Sequence, residues 1–338
     1  MRVVLLPMKV VLMSAMIAGA SFPALSQPGT YQVFAAVLSN KSYVVGGENP
    51  GAGLFVSRTD APGWRSRSFS NLRMFDLEIL PEVGEGLYYT ANGNGVIVSH
   101  DSGRRWRVTT GWQITEVLKI AAVPENPAVV YIGTAYGAYR SADFGETWQP
   151  ISQRFVYALH IDQQHRHRLY IGEEDGLLIG TDDGKHLMRA KGIAAPVLSI
   201  AQHPAKPDIL FAGTEDAGLF VSHDRGKNWQ PIESGDAAGA TVYDILFSPH
   251  NPDSLLAATF AHGVLISADG GRTWRSYRSG LDGIPVSCLA AHPEQSATYF
   301  AGTLNYGVFR SSDGGRTWQP FGLSGAQIME LEIHAMTR

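Results

Sequence analysis

"SADGGRTW" at 267–274 and "SSDGGRTW" at 311–318 are almost the same octapeptide written twice. A catalytic motif normally serves one site. A motif that returns at a fixed interval belongs to a repeated unit. Written as Ser/Thr-x-Asp-x-Gly-x-x-Trp, the octapeptide also occurs in full as "SHDSGRRW" (99–106), "SADFGETW" (141–148) and "SHDRGKNW" (222–229). Two further copies are degraded. "TDDGKHLM" (181–188) keeps Thr181 and Asp183 but has Lys185 for Gly and Met188 for Trp. "SRTDAPGW" (57–64) keeps Ser57 and Trp64 but has Thr59 for Asp and Ala61 for Gly. The closing residues Trp64, Trp106, Trp148, Met188, Trp229, Trp274 and Trp318 stand 40 to 45 residues apart.

Each copy has the same prelude. In "VYIGTAYGAYRS" (130–141), "LFAGTEDAGLFVS" (210–222) and "YFAGTLNYGVFRS" (299–311) an apolar run ends in Gly-Thr, a polar turn follows, and a second apolar run ends at the octapeptide serine. Another apolar segment comes earlier and is often closed by proline, as in "MFDLEILP" (74–81) and "VLSIAQHP" (197–204). A short segment such as "WQPI" (148–151) follows the tryptophan. Four strand-like segments in about 42 residues are the pattern of a propeller blade. The reading is therefore all-β: a seven-bladed β-propeller of four-stranded antiparallel blades, with the octapeptide turning strand three into strand four. A lone sheet cannot bury both faces, whereas a ring of seven buries each against a neighbour.

Ring closure has a candidate at the C-terminus. "IMELEIHAM" (328–336) resembles the innermost-strand segment "MFDLEILPE" (74–82), so 327–334 is expected to complete blade 1. "YQVFAAVL" (31–38) also reads as an innermost strand, and the choice between the two stays open here.

Composition agrees. A protein of 338 residues that is 44% hydrophobic and 17% charged buries a core and is not a disordered polymer. A net charge of −4 without a long basic run speaks against nucleic acid or an anionic membrane surface as partner. Arg2 and Lys9 precede the apolar stretch 10–20, and "ALS" before Gln27 offers small residues for cleavage. Residues 1–26 are expected to be a signal peptide, with Met8 as an alternative start, and 27–338 a single propeller that is periplasmic or secreted. No later stretch is long and apolar enough for a membrane span. Cys288 is the sole cysteine, which excludes an intrachain disulfide and a thiolate metal cluster.

The octapeptide resembles the Asp box of the bacterial neuraminidase repeat. The resemblance implies a structural role for Asp101, Asp143, Asp183, Asp224, Asp269 and Asp313, with the boxes on the face away from any active site. Serine and aspartate side chains at such a turn bond the local backbone. Overall the protein resembles the superfamily of photosystem II assembly-factor, sortilin and glycosidase-type propellers. The assembly-factor members imply an exported, non-enzymatic scaffold that binds a protein partner. These motifs specify a fold and leave function to the loops.

Those loops lie between strands two and three and between successive blades. Arg73, Trp112, Tyr136, Arg154, Phe155 and Tyr306 stand there as candidate partner-binding residues, with Arg278 in the same set. Aromatic residues and arginines dominate interface energetics. A glycoside hydrolase or glycan-binding protein using the same face is the alternative. Xyloglucan-hydrolysing relatives resemble two propellers facing a cleft, and this protein holds one. Asp76, Asp244 and Glu330 occupy equivalent innermost positions and would supply its acid pair. The sialidase signature Arg-Ile-Pro is missing. His165 and His167, taken with His160, fall in a turn on the box face with no nearby carboxylate pair and read as a solvated loop, and no cofactor or metal is expected.

Overall fold

The computed structural model describes residues 30–42, 51–67 and 72–336, so the expected signal peptide lies outside the described residues. Seven four-stranded antiparallel sheets make up the architecture. Six are sequential, such as Met74–Leu80, Leu87–Asn92, Gly95–Ser99 and Arg107–Val108 in blade 2. Blade 1 is composite. The C-terminal strand Ala326–Ala335 is innermost, followed outward by Tyr31–Asn40, Gly53–Arg58 and Arg65–Ser66. The innermost strands contact one another in order and return to the start, which closes the ring.

There is no single core. Each of the seven apolar clusters joins two neighbouring blades. Leu219, Ile232 and Phe211 of blade 5, for example, pack against Val242, Leu255 and Trp274 of blade 6. The Gly-Thr prelude follows from this packing. A Cβ on Gly213 would lie 2.7 Å from Val242 of the next blade, and one on Gly302 would lie 2.7 Å from Ile328. Glycine thus lets the next innermost strand cross close by. The threonine caps the following turn: Thr134, Thr214, Thr259 and Thr303 donate their hydroxyls to the carbonyls of Gly137, Gly218, Gly263 and Gly307 at 2.6 to 2.9 Å.

The boxes are hydrogen-bonded knots. The Ser267 hydroxyl donates to Asp269 Oδ1 at 2.9 Å and accepts the Gly271 N–H at 2.9 Å. Asp269 Oδ1 also accepts the Thr273 N–H at 2.9 Å, and its Oδ2 accepts the Thr273 hydroxyl at 2.7 Å. Trp274 Nε1 then donates to the Gly271 carbonyl at 3.0 Å. Gly271 has φ +83°, and a Cβ there would meet Phe211 of the preceding blade. The blade-4 copy works differently. Asp183 does not hold its own turn in this way. It accepts hydrogen bonds from Tyr131 and Arg140 of blade 3 and meets His167 Nδ1 at 2.8 Å. The loss of Gly and Trp leaves this aspartate free to tie two blades together.

A second set of carboxylates seals the axis. The inner edge of each innermost strand has backbone N–H groups with no strand partner. Asp76 Oδ2 accepts the Ile120 N–H of blade 3, and Asp244 Oδ2 accepts the Leu289 N–H of blade 7, at 3.0 and 2.8 Å. Glu332 of the closing strand accepts the Ile79 N–H at 3.1 Å, and Glu78 accepts the Ala122 N–H at 3.3 Å. Burial pushes all four carboxyls above their ordinary range, and neighbouring carboxylates push Glu78 and Glu332 further.

The two sets predict opposite pH behaviour. The Thr273 hydroxyl and N–H hold Asp269 down to about 2. Its contribution is therefore present above the ordinary value of about 3.9 and disappears as pH falls toward 2. Asp269→Ala should cost about 1–3 kcal/mol at neutral pH by leaving turn N–H groups unpaired. Urea unfolding should show that gap closing between pH 5 and pH 2; a gap that persists at pH 2 contradicts the assignment. Glu332 has a raised folded value, so its contribution is full at acid pH and is lost as pH rises through that value. Glu332→Gln should gain stability relative to the parent from pH 5 to pH 9, and a gain that does not grow with pH counts against the burial effect.

Candidate functional site

Two places bring sequence candidates together. The first is the axis. Register puts Asp76, Lys119, Ser199, Asp244, Cys288 and Glu330 at equivalent positions of their innermost strands. Several of them line a narrow, strongly polar cavity of about 160 Å³. Lys119 Nζ lies 3.8 Å from Asp76 Oδ2 and 3.9 Å from Glu330 Oε2. Burial alone would push this ammonium down, but Asp76, Glu330 and Asp244 outweigh it and hold it up. Burial and the Asp76 charge drive Glu330 well up.

An acid pair for glycoside hydrolysis requires carboxyl groups separated by roughly 5–9.5 Å with room for substrate between them. Here Asp76 and Asp244 each accept their own strand's next N–H on one oxygen and the next blade's N–H on the other. Glu330 accepts the Leu331 N–H at 3.1 Å and faces Lys119. The arrangement stitches blades, and Lys119 offsets part of the carboxylate charge.

The second place is the loop face opposite the boxes. A cavity of about 530 Å³ opens there at the seam of blades 2 and 3. Arg73 and Phe155 line it, and so do Phe75, Leu118, Asn92 and Glu116. Arg73, Glu116 and Phe155 are equivalent residues. Each stands three residues before the innermost-strand residue that pairs with Ala91, Gly133 or Gly172 of its blade, where blades 5, 6 and 7 have Pro196, Thr241 and Pro285. Glu116 has the left-handed φ of +50°, which is costly for a residue with a Cβ. Its N–H donates to Gly93 and its carbonyl accepts from Ala135, so it bridges the turns of two blades. Arg73 lies over the Phe75 ring at 5.8 Å. Among the described residues neither Arg73 nor Glu116 has an ion-pair partner.

The other candidates are spread around the same face. Tyr136 follows the cavity residue Ala135 and is 58% exposed, and Trp112 is 86% exposed in the loop between blades 2 and 3. Arg154 is paired with Asp175 of the blade-4 turn. Tyr306 lies at the blade 7–blade 1 boundary with Lys41 Nζ 4.8 Å above its ring. Arg278 donates to His262 Nδ1 at 2.9 Å. Residues 43–50 and 68–71, which belong to the loops after the second and fourth strands of blade 1, lie outside the described residues. His160 meets Gln202 Oε1 at 3.3 Å, apart from the His167–Asp183 pair. Among the described residues no cluster of three or more His, Cys, Asp or Glu suits a metal ion, and no helix is long and apolar enough to cross a membrane.

The sequence reading missed Asn92, Glu116 and Lys119. The signal was available: aligning the blades on the Gly-Thr prelude shows Asn92 replacing the threonine. The same alignment shows Glu116 beside Arg73 and Phe155, and Lys119 among the axial carboxylates.

Comparison with known proteins fits this architecture. The BNR-Asp box repeat matches residues 219–232. No curated protein matches the sequence. A GH74 xyloglucanase from Xanthomonas campestris superposes with a TM-score of 0.62 at 19% identity, over 73% of this protein and 45% of that one. YCF48 bound to a D1 peptide superposes with a TM-score of 0.56 at 14% identity, over 73% of this protein and 81% of that one. YCF48 from Cyanidioschyzon merolae gives 0.54 at 12%, over 73% and 84%. The protein spans less than half the length of the GH74 structures it matches. At these identities the likeness is one of fold. The repeat and the seven sheets together make the protein an Asp-box β-propeller of seven blades.

Proposed function

We propose that this protein is an exported, non-enzymatic scaffold whose loop face binds a protein partner. The observation that carries the reading is the break in the repeat at the blade 2–3 seam. There Arg73, Glu116 and Phe155 replace the Pro, Thr and Pro of blades 5 to 7 and surround a cavity. Nothing in the fold requires those three residue types. Exposed Trp112 and Tyr136 extend the same face, and large aromatic residues supply contact area at low entropic cost. The likeness in fold to YCF48, solved bound to a D1 peptide, supports a propeller of this kind as a peptide binder. Export rests on the positive and apolar character of residues 1–26, and assembly or stabilisation of the partner is the role such a scaffold would serve.

The mature protein, residues 27–338, should capture a protein from the exported fraction of its source cells. With that protein identified and purified, Arg73→Ala and the pair Trp112→Ala and Phe155→Ala should each weaken binding by at least about 1 kcal/mol in calorimetry, with the melting temperature kept. Hydrolysis of xyloglucan by the purified propeller, lost in Asp76→Asn or Asp244→Asn, would replace this reading with the glycanase.

A further inference from the structure

The repeat breaks at one more residue of the seam, and that residue is buried. Four blades end their second strand in a threonine whose hydroxyl caps the turn. Blade 2 has Asn92, paired with Gly95 in the same register. Asn92 is 1% exposed and lines the cavity with Arg73 and Glu116. Its Nδ2 donates to the Thr90 carbonyl and to Thr90 Oγ1, both at 2.9 Å. Thr90 Oγ1 gives its own proton to the Ile97 carbonyl at 3.0 Å. Both partners of the amide nitrogen are therefore acceptors, which fixes the amide orientation. Among the described residues the Oδ1 has no hydrogen-bond partner.

A buried carbonyl without a donor is a standing cost, and a ligand that supplies an N–H removes it. The cavity holds complementary groups. Arg73 offers donors, Glu116 offers a second acceptor, and neither has an ion-pair partner among the described residues. The walls are Phe75, Leu118 and Phe155. An extended peptide presents an N–H, a C=O and a side chain together at each residue. A neutral sugar can stack a C–H face on these rings, but it brings no amide N–H and no apolar branch.

Resting on the scaffold reading above, we infer that the blade 2–3 cavity is the anchor site of that face. It takes an extended peptide segment, with an apolar side chain against Phe75, Leu118 and Phe155, a backbone carbonyl received by Arg73, and a backbone N–H received by Asn92 Oδ1, which is closed to water in the free protein and is reached as the segment displaces the cavity wall. The affinity of the face then depends on an acceptor that the other Thr-capped turns do not provide.

The test uses the mature protein and a displayed library of random dodecapeptides. The key variant is Asn92→Thr, which writes the residue of the other turns into blade 2 and so preserves folding. Peptides enriched on the parent should carry an apolar residue and bind Asn92→Thr at least tenfold more weakly, with the melting temperature equal or higher. N-methylation of one backbone amide in such a peptide should weaken binding to the parent by a similar factor and leave binding to Asn92→Thr unchanged. Equal binding to parent and variant would overturn the inference, as would the absence of any enriched peptide, or xyloglucan oligosaccharides shifting the amide resonances of Gly93 and Glu116. Peptides that depend on Trp112 and Tyr136 but ignore Asn92 would sink the anchor alone and leave the scaffold standing.

Discussion

The structure depends on one antiparallel pairing, that of Ala326–Ala335 with Tyr31–Asn40. Every apolar cluster lies between two blades, so no blade is stable by its own burial. The closing strand contributes Ile328 and Leu331 to the cluster shared by blades 7 and 1. Its Glu332 reaches across to the Ile79 N–H of blade 2. Both neighbours of blade 1 therefore rely on residues from the far end of the sequence. The two terminal strands can pair in this way because the ring returns to its start, and the closing strand covers what would otherwise be an open strand edge.

Most of this fold was legible because a repeat is its own alignment. Trp spacing gave the blade length, the serine and aspartate gave the turn, and Gly-Thr marked the crossing point of the next blade. The order of strands in blade 1 was not read, although the sequence carries it. An innermost strand packs on one side and meets the axis on the other, so polar residues return with period two. Glu330, Glu332 and His334 show this in "IMELEIHAM". A second strand is buried on both faces, and Val33 to Leu38 are buried without a break. Apolar content makes the two segments look alike, and alternation separates them. Asp183 departs from its expected role for a related reason. A motif keeps its name after losing Gly and Trp, but those two residues shape the turn that the aspartate would bond.

The candidate site was only partly visible. Arg73 and Phe155 stand out because arginine and aromatic residues in loops draw attention. Glu116 and Asn92 do not, because a glutamate in a loop is ordinary and an asparagine in "ANGNG" looks like turn chemistry. Arg154 and Tyr306 have local partners in Asp175 and Lys41, which composition cannot show. The axial carboxylates were legible as a set. Their role was not, because it rests on N–H groups of the next strand.

A repeat protein separates its scaffold from its function by internal comparison, and satisfaction of polar groups is the criterion that does so here. Blade 4 departs from the pattern at Glu173 and Asp183, yet Arg189 pairs with Oε2 of the first, whose Oε1 has no partner among the described residues, and Tyr131, Arg140 and His167 meet the second. The axis departs at Asp76, Lys119, Asp244 and Glu330, and these pair with one another or with backbone. In these departures the charges are met within the molecule. The seam of blades 2 and 3 is different. It gathers a strained glutamate and, among the described residues, an arginine with no counter-ion and a buried carbonyl with no donor, around a space large enough for a side chain and its flanking backbone. Unmet polar groups of opposite kind in one place cost the free protein stability and are repaired only from outside. That asymmetry, rather than the size of the cavity, separates this seam from the repeated remainder of the ring.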